Sequence, residues 1–425
     1  MNRLFLYLII TILLTNCSFV QKEKSNNKTK KITIFQKDEP VSNELNSSLK
    51  IKLNKSYTTY TFINNYTRNN GNIDSEFIFS KKKKFKFKEL NQFELTQPEI
   101  LLTKDNFILF FDVKGSIFKL NKDLKQIWKV NHYSKKEKKM KPILYFAQDN
   151  NNLLVADTLS KIYSLNLSNG HLNWTTKNYS PFNSNLVVFK NTLIVVDFEN
   201  TIRAFDKSNG IEKWNFKSEN SFIKSTKKLS TLLIGEVVYF ISNLGDITAL
   251  NANDGSLAWQ TPTQGDDVYL TSFKLKNSDI VFANDTIYFS NNKNEFFSID
   301  ARSGITKWKQ TINSSLRPTI VDNLIFSVSD NGFLFVIDDN TGNIIRVTNL
   351  LKNIKKKKNK IKPTGFIISK NKMYVSLNNG KLVKLDIETG ITEKIYKITN
   401  SEIKRPFVMN NNIYFLKSKS IIKSN

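Results

Sequence analysis

The chain of 425 residues contains one cysteine, Cys17, and two histidines, His132 and His171. One cysteine excludes a disulfide framework and a cysteine-based zinc site within the chain. Two histidines leave few side chains suited to metal binding or general base catalysis at neutral pH. His171 directly follows a turn glycine and His132 lies beside a lysine run, so we interpret both as surface residues. The sequence therefore predicts a protein without catalytic residues, metal ligands or a cofactor.

Long apolar stretches are also absent, apart from residues 4–14. This run follows Arg3 and is shorter than the ~20 residues that a transmembrane helix needs, which is typical of a secretory signal. It leads to Cys17, and the arrangement resembles a bacterial lipoprotein signal, which implies that Cys17 becomes the lipidated first residue of the mature chain. Asn16 departs from the small residue usual before that cysteine, so efficient processing stays open, as does an incidental apolar cysteine. Ser18, in place of an aspartate, implies the outer membrane.

Acidic residues are few in comparison with basic ones: 37 Asp and Glu stand against 64 Lys and Arg, for a net charge of +27. Lysine runs at 81–84, 135–141 and 355–362 fall between the repeats described below, where loops are expected. Such a charge is typical of proteins that bind nucleic acid, an anionic membrane surface or an acidic partner. The alternative is a compositional bias, with the lysines simply solvated. No aromatic platform among basic residues stands out, so we expect no nucleic-acid partner.

All five tryptophans occupy one position of a repeated motif. Each copy has an alternating strand, an Asn or Asp, a turn and then the tryptophan, as in TIRAFDKSNGIEKW. The first copy has Leu124 in place of the turn glycine, and two later copies end at Arg346 and Lys394 instead of tryptophan. Successive tryptophans lie 40 to 49 residues apart, which is a propeller period. The residues of the motif are Trp128, Trp174, Trp214, Trp259 and Trp308, with the glycines Gly170, Gly210, Gly255, Gly304, Gly342 and Gly390.

The recurring residues of the motif have a structural explanation. Glycine supplies the positive φ that a tight turn requires, while the neighbouring Asn or Asp hydrogen-bonds its own backbone. The tryptophan begins the outer strand, where its ring is expected to fill the wedge between adjacent blades. The turn carboxylates are interpreted as turn formers at equivalent positions rather than as catalytic groups; they are Asp206, Asp254, Asp300, Asp338 and Asp386.

Eight copies of the strand predict the fold. We interpret as inner strands those that begin near Gly115, Lys161, Thr201, Gly245, Glu295, Gly332, Gly380 and Lys419. Strand alternation without long helical periodicity predicts an all-β, eight-bladed β-propeller of four-stranded antiparallel blades. The eighth copy stops before its outer strand, so we predict that the strand at 76–88 completes the last blade and closes the ring. The alternative is that 76–88 is only a solvated lysine run. The predicted domains are a signal peptide (1–17), a flexible tether (18–75) and the propeller (76–425).

The motif of strand, Asn or Asp, glycine turn and tryptophan resembles the repeat of the pyrroloquinoline-quinone-like propellers. One branch of that superfamily, the quinoprotein dehydrogenases, holds quinone and calcium at the propeller centre, commonly beneath a disulfide of adjacent cysteines. A chain with one cysteine cannot form that disulfide. The other branch is the BamB family of propeller lipoproteins. About 350 residues, with eight repeats, a truncated last copy and a lipoprotein start, are similar to that family.

The resemblance to the BamB family implies a scaffold and no reaction. Members of the family dock on a POTRA domain of the outer-membrane barrel insertase through loops on one propeller face. The connection after the third repeat carries part of that contact, and its nearest match here is Phe222, Ile223 and Lys224. The alternative places Phe222 and Ile223 in the first strand of the fourth blade. The family's second contact, an acidic pair, falls near Lys274 and Lys276, so this chain departs from the pattern there.

The implied location is the periplasmic face of the outer membrane, with the protein lipid-anchored and monomeric within a larger complex. Two other functions stay open. One is a periplasmic quinoprotein-type oxidoreductase, and the other is a binding protein for anionic envelope polymers, which the net charge motivates.

Overall fold

The computed structural model describes residues 43–53, 72–73, 75–79, 82–90, 100–218, 227–263, 275–354, 361–409 and 411–424. These residues form strands β1 to β33 and one short helix, so the predicted all-β class is confirmed. Two strands come first, β1 (Asn72–Ile73) and β2 (Lys82–Lys86). The rest of the described chain forms blades one after another.

Blade 1 contains β3 (Leu101–Leu102), β4 (Ile108–Phe111), β5 (Ile117–Leu120) and β6 (Gln126–Val130). Helix α1 (Lys135–Lys139) leads to blade 2, with β7 (Leu144–Asp149), β8 (Asn152–Asp157), β9 (Lys161–Asn166) and β10 (Leu172–Lys177). Blade 3 contains β11 (Val187–Phe189), β12 (Thr192–Val196), β13 (Thr201–Asp206) and β14 (Glu212–Lys217). Blade 4 contains β15 (Thr231–Ile234), β16 (Val237–Ile241), β17 (Ile247–Asn251) and β18 (Leu257–Thr261).

Blade 5 contains β19 (Val281–Ala283), β20 (Thr286–Asn291), β21 (Glu295–Asp300) and β22 (Thr306–Gln310). Blade 6 contains β23 (Thr319–Val321), β24 (Leu324–Val328), β25 (Phe333–Asp338) and β26 (Ile344–Asn349). Blade 7 contains β27 (Pro363–Ser369), β28 (Lys372–Leu377), β29 (Lys381–Asp386) and β30 (Thr392–Lys397). Blade 8 contains β31 (Phe407–Met409), β32 (Asn412–Lys417) and β33 (Ser420–Ser424), and β2 is its fourth strand.

The blades pair their strands in sequence order, and all eight are antiparallel within the four-stranded unit. First strands of neighbouring blades approach one another, as β3 and β7 or β11 and β15 do, so the first strands surround the centre. The prediction of an eight-bladed propeller is confirmed. The strands that we interpreted as inner are wrong in position, because each is the third of its blade and the first and second strands separate it from the centre.

Burial falls from the second strand to the fourth. In blade 3, every residue of β12 is buried, whereas β14 alternates between exposed and half-buried residues. Continuous apolar runs suit a strand covered by blades on both faces, and alternation suits one that faces solvent on one side. The sequence of each blade therefore dictates which of its strands lies at the rim.

Residues before the first blade close the ring. Strand β2 pairs antiparallel with β33, with Lys82 opposite Ser424 and Lys86 opposite Ser420. The predicted closure is confirmed, over a shorter strand than 76–88, and the interpretation of this segment as only a solvated run is wrong. The lysines of β2 are nevertheless exposed, because β2 is the outer strand of blade 8.

Each tryptophan packs on the turn glycine of the following blade. A Cβ atom added to Gly210 would lie 2.5 Å from the Trp174 ring, and Gly210 has a φ of +77°. The Trp174 indole N–H donates to the Lys207 backbone oxygen at 3.1 Å. Trp128, Trp259 and Trp308 make the equivalent hydrogen bond, while the Trp214 N–H has no partner among the described residues. One indole thus lies in each of five consecutive interfaces, from that between blades 1 and 2 to that between blades 5 and 6.

The three interfaces without an indole contain side chains from the segment that precedes blade 1 in the sequence. Phe77 and Phe79 pack on Tyr374 in the cluster between blades 7 and 8. Phe85 and Phe87 pack on Phe110 between blades 8 and 1. Between blades 6 and 7, the buried Ile51 and Leu53 join the apolar cluster.

Arg346 takes the tryptophan position of blade 6 and is fully buried. Its guanidinium donates to the backbone oxygens of Ile387 at 2.6 Å and Glu388 at 2.5 Å in blade 7. It also donates to Leu49 O at 3.0 Å, which belongs to the N-terminal segment. Desolvation lowers the pKa of Arg346, because burial penalises its charged form. This arginine replaces one indole and joins three parts of the chain.

Residues 43–53 therefore do not fit the description of a free tether. Leu45 and Val347 exchange backbone hydrogen bonds at 2.9 and 3.1 Å, so the segment extends the edge of β26. Strand β1 pairs in parallel with β27, on the side nearest the centre. Within the interval 18–75, which we interpreted as a tether, the described residues are packed against blades 6 and 7.

Candidate partner-binding face

The long connections between blades lie on one face of the propeller. Each leaves the fourth strand of a blade and enters the first strand of the next, beside the turn that joins the second and third strands. Backbone hydrogen bonds fix this arrangement, for example Ser218 N to Asn200 O at 3.2 Å and Ile398 N to Gly380 O at 3.0 Å. The connection after blade 3 contains the residues that we predicted for partner binding. The connection after blade 4 contains Lys274 and Lys276, where this chain departs from the family's acidic pair.

The predicted partner residues Phe222, Ile223 and Lys224 lie outside the described residues, and so does Lys274. Lys276 is described, and its backbone N–H donates to the Asn292 side chain at 2.7 Å. Cys17 and the rest of the predicted signal are also outside the described part of the chain. The described parts of the two connections include residues 227–230 and 275–280, which form their base.

Lys227 joins the two connections at their base. Its ammonium donates to the backbone oxygen of Asn277 and to Ser315 O, the latter at 3.0 Å. Burial lowers the pKa of Lys227 to about 8, against the raising effect of Asp279 and Asp330. A small recess lies beside it, lined by residues 227–230 of the first connection and by Asn277 and Ser278 of the second. The described parts of these two connections are therefore bonded to each other.

Asp279, whose charge acts on Lys227, is the first of three further charged residues, the others being Arg317 and Arg405. The Arg317 guanidinium donates to the Asp279 carboxylate at 2.6 and 3.0 Å. Burial alone would raise the pKa of Asp279, but Arg317 and the nearby lysines outweigh burial and leave that pKa lowered. Arg405 donates to Phe366 O at 3.0 Å, and its pKa is lowered by burial and by the charge of Arg317. The centre of this face is consequently polar, charged and tightly bonded.

Sequence reasoning missed this charged group, although a signal was present. Asp279, Arg317 and Arg405 each stand two positions before the first strand of their blade, at β19, β23 and β31. The first strands are short, so an alignment anchored on tryptophans did not bring these positions together. An alignment anchored on the first strands would have placed them in register at the centre.

Both histidines of the chain lie within the described residues. No group of three or more His, Cys, Asp or Glu residues within them could hold a metal ion. His171 is exposed, and His132 lies 3.1 Å from the Gly170 backbone oxygen. No helix within the described ranges has the length and apolar character needed to cross a membrane.

The turn carboxylates cap their own turns. Asp206 accepts from the backbone N–H of Ser208 at 2.8 Å, and Asp338 accepts from that of Thr341 at 2.8 Å. Asp300 and Asp386 occupy the same turn position, whereas Asp254 directly precedes its glycine and accepts from Ser256 N at 2.9 Å. The expectation that all five are equivalent is wrong for Asp254, since Asn251 holds that position in blade 4.

A buried cluster of Tyr133, Asp157 and Tyr163 is also explained by the fold. The Tyr133 hydroxyl donates to the Asp157 carboxylate at 2.5 Å and lies 3.2 Å from the Tyr163 hydroxyl. The other Asp157 oxygen accepts from the backbone N–H groups of Leu159 and Lys161, which forms a turn. Burial raises the pKa of Asp157. The cluster ties the connection after blade 1 to blade 2.

Comparison with known proteins agrees with this fold. A family model described as outer membrane protein assembly factor BamB matches residues 113–348. No curated protein matches the sequence. Among solved structures, BamB from Moraxella catarrhalis has 14% sequence identity and a TM-score of 0.63, over 82% of this chain and 100% of that chain. A quinohemoprotein alcohol dehydrogenase from Pseudomonas putida has 10% identity and a TM-score of 0.61, over 87% of this chain and 78% of that chain.

Proposed function

Because the chain belongs to the family described as outer membrane protein assembly factor BamB, we propose that it is a non-catalytic scaffold of outer-membrane protein assembly. In this proposal it docks on the POTRA region of the barrel insertase and assists folding and insertion of barrel proteins. The observation that carries the proposal is the family match over residues 113–348, which spans blades 1 to 6 and both connections of the candidate face.

The hydrogen bonds at the base of the candidate face support a docking role. Lys227 holds the connections after blades 3 and 4 together at their base, so the segments beyond it start from fixed points. A preorganised base reduces the entropy that a loop loses when it binds a partner. An aromatic and an aliphatic residue followed by a cation, as at Phe222, Ile223 and Lys224, suit a small anchor with orientation supplied by charge.

Anchoring at the membrane is the second part of the proposal. Lipidation of Cys17 would hold the propeller at the periplasmic face of the outer membrane. Mass spectrometry of the mature chain tests this part: the expected product begins at a lipid-modified Cys17. An unprocessed chain that retains residues 1–16 would contradict the anchor while leaving the scaffold role open.

Affinity capture tests the scaffold role. Tagged protein from membranes is expected to bring down the barrel insertase, and the double variant F222D/I223D is expected to lose it, because two carboxylates cannot enter an apolar pocket without desolvation. The matched control is I305D/I391D, since Ile305 and Ile391 are 67% and 65% exposed and follow turn glycines on the opposite face. Capture of no insertase by the unaltered protein would overturn the proposal.

An oxidoreductase function has one observation in its favour, the similar fold of the alcohol dehydrogenase. The described residues do not fit a calcium-bound quinone, because they contain no cluster of three or more acidic ligands. At the centre of the candidate face, Lys227, Arg317 and Arg405 outnumber the two nearby carboxylates, Asp279 and Asp330. Incubation of the purified protein with quinone and calcium distinguishes the two functions. We expect no reduction of an artificial electron acceptor; turnover would favour the enzyme.

A further inference from the structure

A basic edge crosses the boundary between blades 8 and 1. It consists of Lys86 at the end of strand β2, Lys88 just after that strand, Lys114 in the turn after β4, and Lys135, Lys138 and Lys139 of α1. All are exposed except Lys138, which is half-buried. None of the six forms an ion pair within the described part of the chain.

Backbone contacts bring the three segments together. Val113 N donates to Glu89 O at 3.1 Å, which places the end of β2 beside the turn that contains Lys114. The Asn131 side chain donates to Lys114 O at 3.0 Å, and three residues later Ser134 caps α1. The positive charges are close enough to lower the pKa of Lys114, chiefly through Lys88 and also through Lys138. Three lysine-rich segments that are far apart in sequence thus form one surface.

Alternation along β2 explains why this surface is so basic. Phe85 and Phe87 point into the interface with blade 1, where they pack on Phe110. Successive side chains of a strand point to opposite sides, so Lys84, Lys86 and Lys88 point away from that interface. Helix α1 buries none of its residues. The phenyl rings are therefore packed in the interface, and the lysine amines are exposed to solvent.

Nearby carboxylates are occupied elsewhere. Glu89 pairs with Lys419 at 3.2 Å, and Glu137 pairs with Lys161 at 2.6 Å. One oxygen of Asp112 accepts from the backbone N–H groups of Lys114 and Ser116. Neutralisation from within the described chain is thus small, and the edge keeps its positive potential.

The geometry points to this basic edge as a docking surface for a bilayer that contains anionic phospholipid headgroups. Met140 directly follows α1 and is 65% exposed, so an apolar side chain stands next to the lysines. Lysines around an exposed apolar residue suit the headgroup region, where amines meet phosphates and the thioether enters the acyl boundary. The edge lies on the same face as the partner connections, about half a ring away from blade 4. The inference requires neither the insertase nor the lipid anchor.

Vesicle binding tests the inference. Full-length protein is mixed with vesicles of phosphatidylcholine alone or with added phosphatidylglycerol, and bound protein is measured by sedimentation. The unaltered chain is expected to bind the anionic vesicles more tightly, and the gain is expected to fall with added salt. We define the anionic gain as the ratio of binding to anionic vesicles over binding to neutral vesicles. The variant K86Q/K88Q/K114Q/K138Q is expected to lower this ratio at least about tenfold.

The control variant removes the same charge elsewhere. K125Q/K177Q/K217Q/K362Q changes four exposed lysines outside the basic edge. It is expected to retain most of the anionic gain, and thermal melts establish that both variants fold. An equal loss in the two variants, or an unchanged gain in the first, overturns the inference. Met140→Ser gives an independent measurement: weaker binding to anionic vesicles without a change in salt dependence is expected, and unaltered binding counts against insertion.

Discussion

Two halves of the ring solve the same packing problem in different ways. From blade 1 to blade 6, each interface contains an indole that packs on the glycine turn of the next blade. From blade 6 round to blade 1, the indole is absent and residues from before the first blade fill the wedge. A wedge between blades thus requires bulk, and the chain supplies that bulk either from within the repeat or from a distant segment.

The comparison also explains where the turn needs glycine. Gly210 cannot hold a Cβ because Trp174 occupies that space. Leu124 holds the same turn position in blade 1 with a φ of +61°. The residue opposite is Lys83, whose ammonium lies 3.6 Å from the Asp123 carboxylate, so no indole presses on Leu124. The side chain that the preceding blade places against the turn therefore determines whether the turn position must be glycine.

The largest expected effect comes from removing the rings that replace the indole at the closure. F85A/F87A is expected to lower the free energy of unfolding by about 5 kcal/mol, because two phenyl groups leave a wedge that nothing else fills. Chemical denaturation measures the change. The conservative control F85L/F87L is expected to lose less than half as much, and equal losses would mean that ring volume does not hold the closure.

A smaller effect is expected at a glycine beneath an indole. Gly210→Ala is expected to cost about 3 kcal/mol, since the new methyl group meets the Trp174 ring and the φ is unfavourable. Gly235→Ala is the matched control: Gly235 also has a positive φ, +60°, but nothing lies within 4 Å of its Cβ position. The difference between the two denaturation midpoints isolates the contact with the indole. Equal costs would attribute the effect to backbone conformation alone.

A substitution at Arg346 tests the interface between blades 6 and 7, where the two halves meet. Arg346→Lys is expected to cost about 2 kcal/mol, because one ammonium cannot serve the backbone oxygens of Ile387, Glu388 and Leu49 at once. Hydrogen exchange at the Leu45 and Val347 amides is expected to accelerate, as the N-terminal segment loses an anchor. Unchanged exchange there would separate that segment from the arginine.

The half with indoles is expected to respond to pH through Lys227. Folded Lys227 releases its proton near pH 8, whereas its ordinary pKa is 10.5. Between these values the unfolded chain binds more protons, so stability is expected to rise from about pH 8 to about pH 10.5. Lys227→Met removes this rise, and Lys177→Met, at an exposed position, retains it. A flat profile in the unaltered protein would contradict the burial of this ammonium.

The smallest effect is a coupling between two positions of the closure. Lys83→Trp introduces an indole opposite Leu124, and Leu124→Gly makes room for it. Each change alone is expected to destabilise the protein, and the double variant is expected to recover about 1 kcal/mol relative to the sum. A double-mutant cycle measures this coupling, and strict additivity would mean that the indole and the glycine do not act as a pair.

Sequence reasoning predicted the parts of the fold that repeat. Eight copies of one motif predicted eight blades, and alternation in EFIFSKKKKFKFK predicted the closing strand. The third strands carry the clearest pattern and therefore predict inner strands at the wrong position, because the true first strands, such as β3 or β11, have only two or three residues.

Two other features, the packing of residues 43–53 and the charged group of the candidate face, have no recognisable sequence pattern. Residues 43–53 are held partly through backbone hydrogen bonds, as between Leu45 and Val347, and such bonds place little demand on side chains. The buried side chains of Ile51 and Leu53 form too short an alternation to stand out in the sequence. The charged group at the centre of the candidate face forms only when connections from distant blades converge. Its members, Lys227 and Arg317, are ordinary basic residues in a chain that has 64.

The position of Phe77 to Phe87 has a consequence for the life of the chain. These rings are synthesised first, yet the surfaces that receive them include strands about 300 residues later, as with Lys82 and the backbone of Lys397. Contacts over such separations form slowly, because a large loop must close before they contribute. The newly made protein therefore carries an uncovered aromatic stretch until its last blade has been synthesised.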